Sequence, residues 1–200
     1  ADEKFPGIDL LVPQIDFLEQ VKDSLEAVVI SHGHEDHAGA TAFFTDKIKC
    51  PIYATPFTAS IIKLKFQERG IDIDDHLNIL DLNSSFDIGP FNMNLSTLTH
   101  SIPEPNSLFI NTDLGTVYHT GDWKIDENPL VGDPINFKNM MNGHKKILAM
   151  VCDSTNVLTK GRSGSELKVR ENLVKTIKEI KSKIFVTSFA SNVARLETIA

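Results

Sequence analysis

The sequence holds only two cysteines in 200 residues, Cys50 and Cys152, far apart in the chain. They form no C-x-x-C pair, which excludes a disulfide framework and a thiolate zinc ribbon. Long apolar runs are also missing, and no window approaches the roughly 18 apolar residues of a membrane span. The opening Ala1-Asp2-Glu3-Lys4 lacks the basic and apolar stretches of a secretory leader, so a cytoplasmic setting without a membrane partner is expected. Glycine and proline number only 11 and 9, too few for a collagen-like or low-complexity chain. What remains, 41% hydrophobic and 24% charged residues, is the composition of a globular protein with ample core. Positive charge is in deficit, and the net of −7 taken alone argues against a nucleic-acid partner. The deficit is uneven. Residues 138–183 hold 11 Lys and Arg against 4 Asp and Glu, while the remainder holds 9 against 23. A polyanion responds to the local field within about 10 Å, so this basic stretch matters more than the sum. A solvated basic helix would produce the same count.

No internal repeat or low-complexity tract is present. Strand-like apolar runs recur at 27–31, 52–54, 77–82, 91–98, 108–111, 116–120, 147–152 and 184–188. Helical patterns fall at 15–22, 36–45 and 57–69, where Phe57, Ile61 and Leu64 share a face. Ser163-Gly164-Ser165-Glu166 has the form of a capping box and opens a helix over 166–181, with Leu167, Leu173, Val174, Ile177 and Ile180 inward. Asp113-Leu114-Gly115 predicts a hairpin turn, and a last helix begins near Ala190. Strands in succession with interspersed helices predict an α/β layered fold. Both ends read as cut, so a longer polypeptide is expected, with residues 158–164 as its internal linker.

The decisive segment runs Val28-Val29-Ile30-Ser31-His32-Gly33-His34-Glu35-Asp36-His37. An apolar strand leads into three histidines and an aspartate within six residues. In extended backbone His32 and His34 project to one side, because side chains alternate. Asp36 and His37 then fall on a first helical turn that points back to the same mouth. Four ligands can thus surround two adjacent metal ions without a long loop, and imidazole with carboxylate suits zinc. Glu35 falls between the ligands, facing away. His76 and His144 read as loop residues and His119 as facing away from any metal.

With its H-x-H-x-D-H run, the sequence resembles the metallo-β-lactamase superfamily. That resemblance implies an αββα sandwich with a dinuclear centre at one edge, here partial and running into a further domain. It also calls for a later histidine and a bridging aspartate. His100 in Thr97-Leu98-Thr99-His100-Ser101 and Asp122 in His119-Thr120-Gly121-Asp122 match those positions. By resemblance, His32, His34 and His100 hold one Zn2+, Asp36 and His37 the other, and Asp122 bridges; Mn2+ or Mg2+ are alternative metals. Asp122, Asp36 and His37 carry the catalytic step. The remaining ligand of the second ion, usually a histidine, would lie beyond residue 200.

Within the superfamily, His100-Ser101-Ile102-Pro103, Cys152-Asp153-Ser154-Thr155-Asn156 and Ser188-Phe189-Ala190-Ser191-Asn192 resemble ribonuclease J, a β-CASP nuclease family. The resemblance covers the whole 200 residues and part of that family's length. It implies residues 1–160 as the metallo-β-lactamase domain and 161–200 as the start of the β-CASP domain. It makes Asp153 the β-CASP acidic residue and sets Ser191, Asn192 and Val193 against the RNA backbone. A structural Ca2+ on backbone carbonyls of Pro6 and Ile8 belongs to the same pattern. The activity implied is hydrolysis of single-stranded RNA, 5′→3′ from a 5′-monophosphate end and internally, in mRNA decay and rRNA maturation, by a homodimer or homotetramer. DNA processing, hydrolysis of a small thioester or lactam, and an inactive RNA-binding subunit are the other readings. The basic 138–183 stretch favours a polyanion over a small molecule.

Overall fold

The computed structural model describes residues 6–8, 10–45, 47–144 and 146–200. Two sheets form the frame. The first is parallel, with β1 (Val28–Val29), β2 (Ile52–Ala54) and β3 (Leu77–Ile79) side by side. The second runs β4 (Ser85–Ile88), β5 (Phe91–Thr97), β6 (Asn106–Asn111), β7 (Thr116–His119) and β8 (Ile147–Val151). Its first four strands pair antiparallel, and β8 joins β7 in parallel. β5, β7 and β8 therefore end at the same edge.

Period-two alternation sorts the first sheet's side chains into two cores. Val28, Ile52 and Ala54 face the helices α2 (Glu35–Ala38), α3 (Thr41–Phe44) and α4 (Pro56–Glu68), where Ala38, Ala42, Ile62 and Phe66 complete a buried cluster. Val29 and Tyr53 face the other way, against Ile88, Met93, Leu95 and Leu108 of the second sheet. Full burial of side chains such as Ile62 and Phe66 is worth about 1.5–3 kcal/mol each. On the outer face of the second sheet, Phe109 stacks on Tyr118 and His144, and the Tyr118 hydroxyl meets Met140 in α5 (Phe137–Met140). The expected αββα sandwich is present in this layering, and no helix among the described residues is long and apolar enough to cross a membrane.

Several expectations are corrected. The 27–31 strand shrinks to β1, because after Val29 the chain turns into the histidine segment. Helix 36–45 divides into α2 and α3. Helix 15–22 becomes α1 (Asp16–Gln20) and a 3-10 turn, Lys22–Ser24. In α4 the buried stripe is Ala59, Ile62 and Phe66, and Leu64 lies outward at 55% exposure. Run 184–188 forms no strand, since β structure needs a ladder partner and none of the described residues supplies one. The long helix is α6 (Glu166–Glu179), capped by the Ser165 hydroxyl accepting from Leu167 N rather than by Ser163. Its Leu173, Val174 and Ile177 are half-buried as expected, but Leu167 and Ile180 are exposed. The last helix starts later than expected, as α7 (Val193–Ile199). The Asp113–Gly115 turn does join β6 to β7, closed by Thr112 N donating to Gly115 O.

Candidate metal centre

Loops that follow three strands carry the cluster: 30–37 after β1, 98–104 after β5 and 120–124 after β7. His32 is wholly buried, and its Nδ1 lies 3.0 Å from the Ser31 hydroxyl, leaving Nε2 to face inward. His34, in extended backbone at the N-cap of α2, sets Nδ1 3.1 Å from His32 Nε2 and 3.1 Å from His100 Nε2. Its other nitrogen is 3.3 Å from the Ser101 hydroxyl. Asp122 Oδ2 lies 3.9 Å from His32 Nε2 and 3.8 Å from His100 Nε2. Its Oδ1 lies 3.3 Å from His37 Nε2, which is itself 3.5 Å from Asp36 Oδ2. Two donor groups result, His32–His34–His100–Asp122 and Asp36–His37–Asp122, with Asp122 in both.

This donor set fits divalent metal. Ligand bonds of about 2.0–2.1 Å in a tetrahedral array keep donor atoms ~3.3 Å apart, close to the nitrogen separations here. Neutral imidazole is the ligating form, and the fold enforces it. Burial first, then the neighbouring His37, His34 and His100, lower the pKa of His32 to about 2. Burial also lowers His34 and His100, against opposing pulls from Asp122 on both.

A stability prediction follows for the metal-free protein. Folded His32 stays neutral down to about pH 2, whereas the unfolded side chain takes up a proton near its ordinary value of about 6.5. Its contribution is therefore complete above about pH 6.5 and falls as pH drops toward the depressed value, by up to about 1.4 kcal/mol per pH unit. Calorimetry on the metal-free protein should show its melting temperature falling from about pH 7 to about pH 5. A flat profile across that window would contradict neutral burial.

The other sequence-marked residues take separate places. Glu35 turns outward to Lys65 Nζ at 2.9 Å, and His76 is exposed. His119 lies outside both donor groups, its Nδ1 accepting from Gly121 N at 3.1 Å. Asp153, just past β8, accepts from the Thr155 hydroxyl and amide and from the Trp123 amide; these bonds hold its pKa below the ordinary carboxylate value. It is near enough to His100 for their charges to interact. Asn192 caps α7 by accepting from Arg195 N at 2.9 Å, with Ser191 and Val193 half-buried beside it. Pro6 and Ile8 flank Gly7 in an exposed segment.

Sequence reasoning missed the supports beneath the cluster. Asn106, 1% exposed, donates from its backbone N to Ser31 O at 3.0 Å, fixing the residue before His32 to the start of β6. Gly121 passes so close that an added Cβ would lie 2.7 Å from Asn106 O, and its φ of +58° is a glycine conformation. Lys124 N donates to Thr99 O, the Thr99 hydroxyl returns a bond to Lys124 O, and Lys124 Nζ reaches Glu166 at 3.0 Å. Glu166 also takes Arg195 at 3.2 Å, so α6 and α7 are tied to the loops bearing His100 and Asp122. Only the S-x-x-E run hinted that Glu166 had a task, and it pointed to a different one.

A parallel sheet packed on a mostly antiparallel one, with a His/Asp cluster where their strands end, defines the class. The model of the Beta-lactamase superfamily domain matches residues 6–136, and the chain belongs to that superfamily. In sequence it is similar to proteins named Ribonuclease J. It is 41% identical to the one from Sinorhizobium meliloti, over 98% of this chain and 35% of the relative. It is 32% identical to the one from Helicobacter pylori, over 95% of this chain and 28% of the relative. The chain thus spans about a third of the length of the curated relatives it matches. A solved protein of unknown function from Enterococcus faecalis V583 shares the fold, with a TM-score of 0.64 over 86% of this chain and 44% of that one, at 18% identity.

Proposed function

We propose that this chain carries the metal centre of a zinc-dependent ribonuclease that hydrolyses phosphodiesters of single-stranded RNA. The observation that carries this reading is the double donor set joined at Asp122, in a chain similar along nearly its whole length to proteins named Ribonuclease J. His32, His34 and His100 would hold one ion, Asp36 and His37 the other, and Asp122 both. Bound zinc supplies a nucleophile formed at neutral pH and positive charge for the scissile phosphate. The chain's own residues orient that chemistry. Ser31 fixes the ring of His32, Ser101 steadies His34, and Asp153 sets negative charge beside His100.

Residues 1–160 are assigned to the metallo-β-lactamase domain and 161–200 to the start of a β-CASP domain. Ser191, Asn192 and Val193 would meet the RNA backbone. Since the Asn192 side-chain oxygen already caps α7, the contact falls to its amide nitrogen and the Ser191 hydroxyl. A structural Ca2+ on Pro6 and Ile8 carbonyls, a homo-oligomer and a cytoplasmic setting complete the proposal.

The test uses full-length protein and one RNA sequence bearing either a 5′-monophosphate or a 5′-triphosphate. The monophosphate form should be degraded at least about tenfold faster, because a pocket shaped for one phosphate leaves the others clashing or unpaired. Chelation should stop both reactions. Hydrolysis that persists in chelator overturns the metal-dependent reading, and equal rates on the two ends overturn 5′-end recognition.

A further inference from the structure

A cleft of about 950 Å³ opens between the segment after Asp122 and residues 152–157. Trp123, Arg162, Asp126, Asp153 and Asn156 line it. We propose that this cleft receives the base of a nucleotide flanking the scissile phosphate, stacked on the Trp123 indole; the inference rests on the ribonuclease reading and names a subsite within it.

Position comes first. Trp123 directly follows Asp122, which belongs to both donor groups, and the Trp123 amide donates to Asp153, whose charge acts on His100. None of the six donors lines the cleft, but its wall begins at the residue after Asp122 and includes Asp153. A nucleotide whose phosphate is held at the cluster would therefore have Trp123 as its nearest part of the cleft. The volume lies within the range of pockets that enclose small ligands.

Charge then selects which part of a nucleotide enters. Asp153 is held ionised by the Thr155 hydroxyl and amide. Burial opposes the charge on Asp126, but the amides of Glu166 and Asn128, the Ser165 hydroxyl and Lys124 outweigh it and depress its pKa. Lys124 is already engaged with Asp126 and Glu166. Three carboxylates on the cleft wall, those of Asp126, Glu127 and Asp153, repel a phosphate and leave an uncharged heterocycle as the favoured occupant. The half-buried indole offers the flat face such a ring needs. Among the described residues, no hydrogen bond engages the side-chain amide of Asn156, which carries both the donor and the acceptor that a base edge presents. Arg162 supplies a planar cation able to cover the ring from another side.

A base in this cleft cannot remain in a duplex, so the subsite selects single strands. Stacking accepts every base, so discrimination by sequence should be weak.

The experiment compares wild-type, Trp123→Phe and Trp123→Ala full-length proteins on single-stranded RNA, with an abasic residue moved through the positions flanking the cut. In wild type, the abasic residue should raise KM by about tenfold at one position and have little effect at the others. Trp123→Ala should raise KM for intact RNA by a similar factor, with unchanged zinc content, and lose sensitivity to the abasic position. Trp123→Phe should recover most of the affinity. RNA cleaved by wild type with no position-dependent abasic effect overturns the subsite and leaves the ribonuclease reading standing. Wild-type protein that cleaves no RNA overturns both.

Discussion

On the proposed ribonuclease reading, replacing Asp122 with alanine should abolish RNA hydrolysis while RNA binding stays measurable. Asp122 is the only side chain present in both donor groups. One oxygen faces His32 and His100 and the other faces His37, so its loss separates three histidines from the Asp36–His37 pair. Altering a group that merely supports a metal ligand costs about 10–100-fold; removing a shared donor should cost considerably more. Asp122 does not line the proposed base cleft, so affinity for RNA should be retained. Turnover and metal content of the full-length variant check this, and a rate within tenfold of wild type would sink the assignment of the centre.

The Asn106→Ala variant should lose about 3 kcal/mol of stability. The Asn106 side-chain amide donates to Glu104 O at 2.7 Å, to Ser31 O at 3.2 Å and to Thr55 Oγ1 at 3.4 Å. Its oxygen accepts from the Thr97 hydroxyl at 3.2 Å. Alanine keeps the backbone bonds, including that to Ser31, but removes all four side-chain bonds and leaves the half-buried Glu104 carbonyl and Thr97 hydroxyl without this partner. Each buried polar group left without a partner costs about 1–3 kcal/mol. For a chain of this size the melting temperature should fall by roughly 6–12 °C. Metal affinity should fall with it, because Ser31 positions His32. A shift smaller than about 2 °C in a thermal melt would contradict the account.

The ease of reading each part followed the distance over which its residues act. His32 through His37 form a local unit whose geometry comes from one strand end and one helical turn, so spacing alone exposed it. His100 and Asp122 end strands far from that unit, and only the resemblance matched them to their roles. Asn106 carried no signal, since an asparagine in Pro105-Asn106-Ser107 is ordinary until β6 is docked beside β1. β4 was hidden because Ser85–Ile88 has a single buried apolar residue, Ile88, and gains its identity from pairing with β5 across Gly89. The opposite error at 184–188 has the same root. Ile184, Phe185 and Val186 have strand propensity, yet propensity without a neighbouring ladder leaves Phe185 91% exposed.

The order in which the cluster's residues leave the ribosome also follows from the topology. The six donors found among the described residues lie between positions 32 and 122, with the Asn106 anchor inside that interval. A nascent chain could close its first donor group once β7 and the turn after it had emerged. β8 is synthesised later and adds in parallel to β7 at the sheet's edge. Metal supplied during translation would then act as an early clasp between the two sheets, holding them together while the edge of β7 awaits its partner.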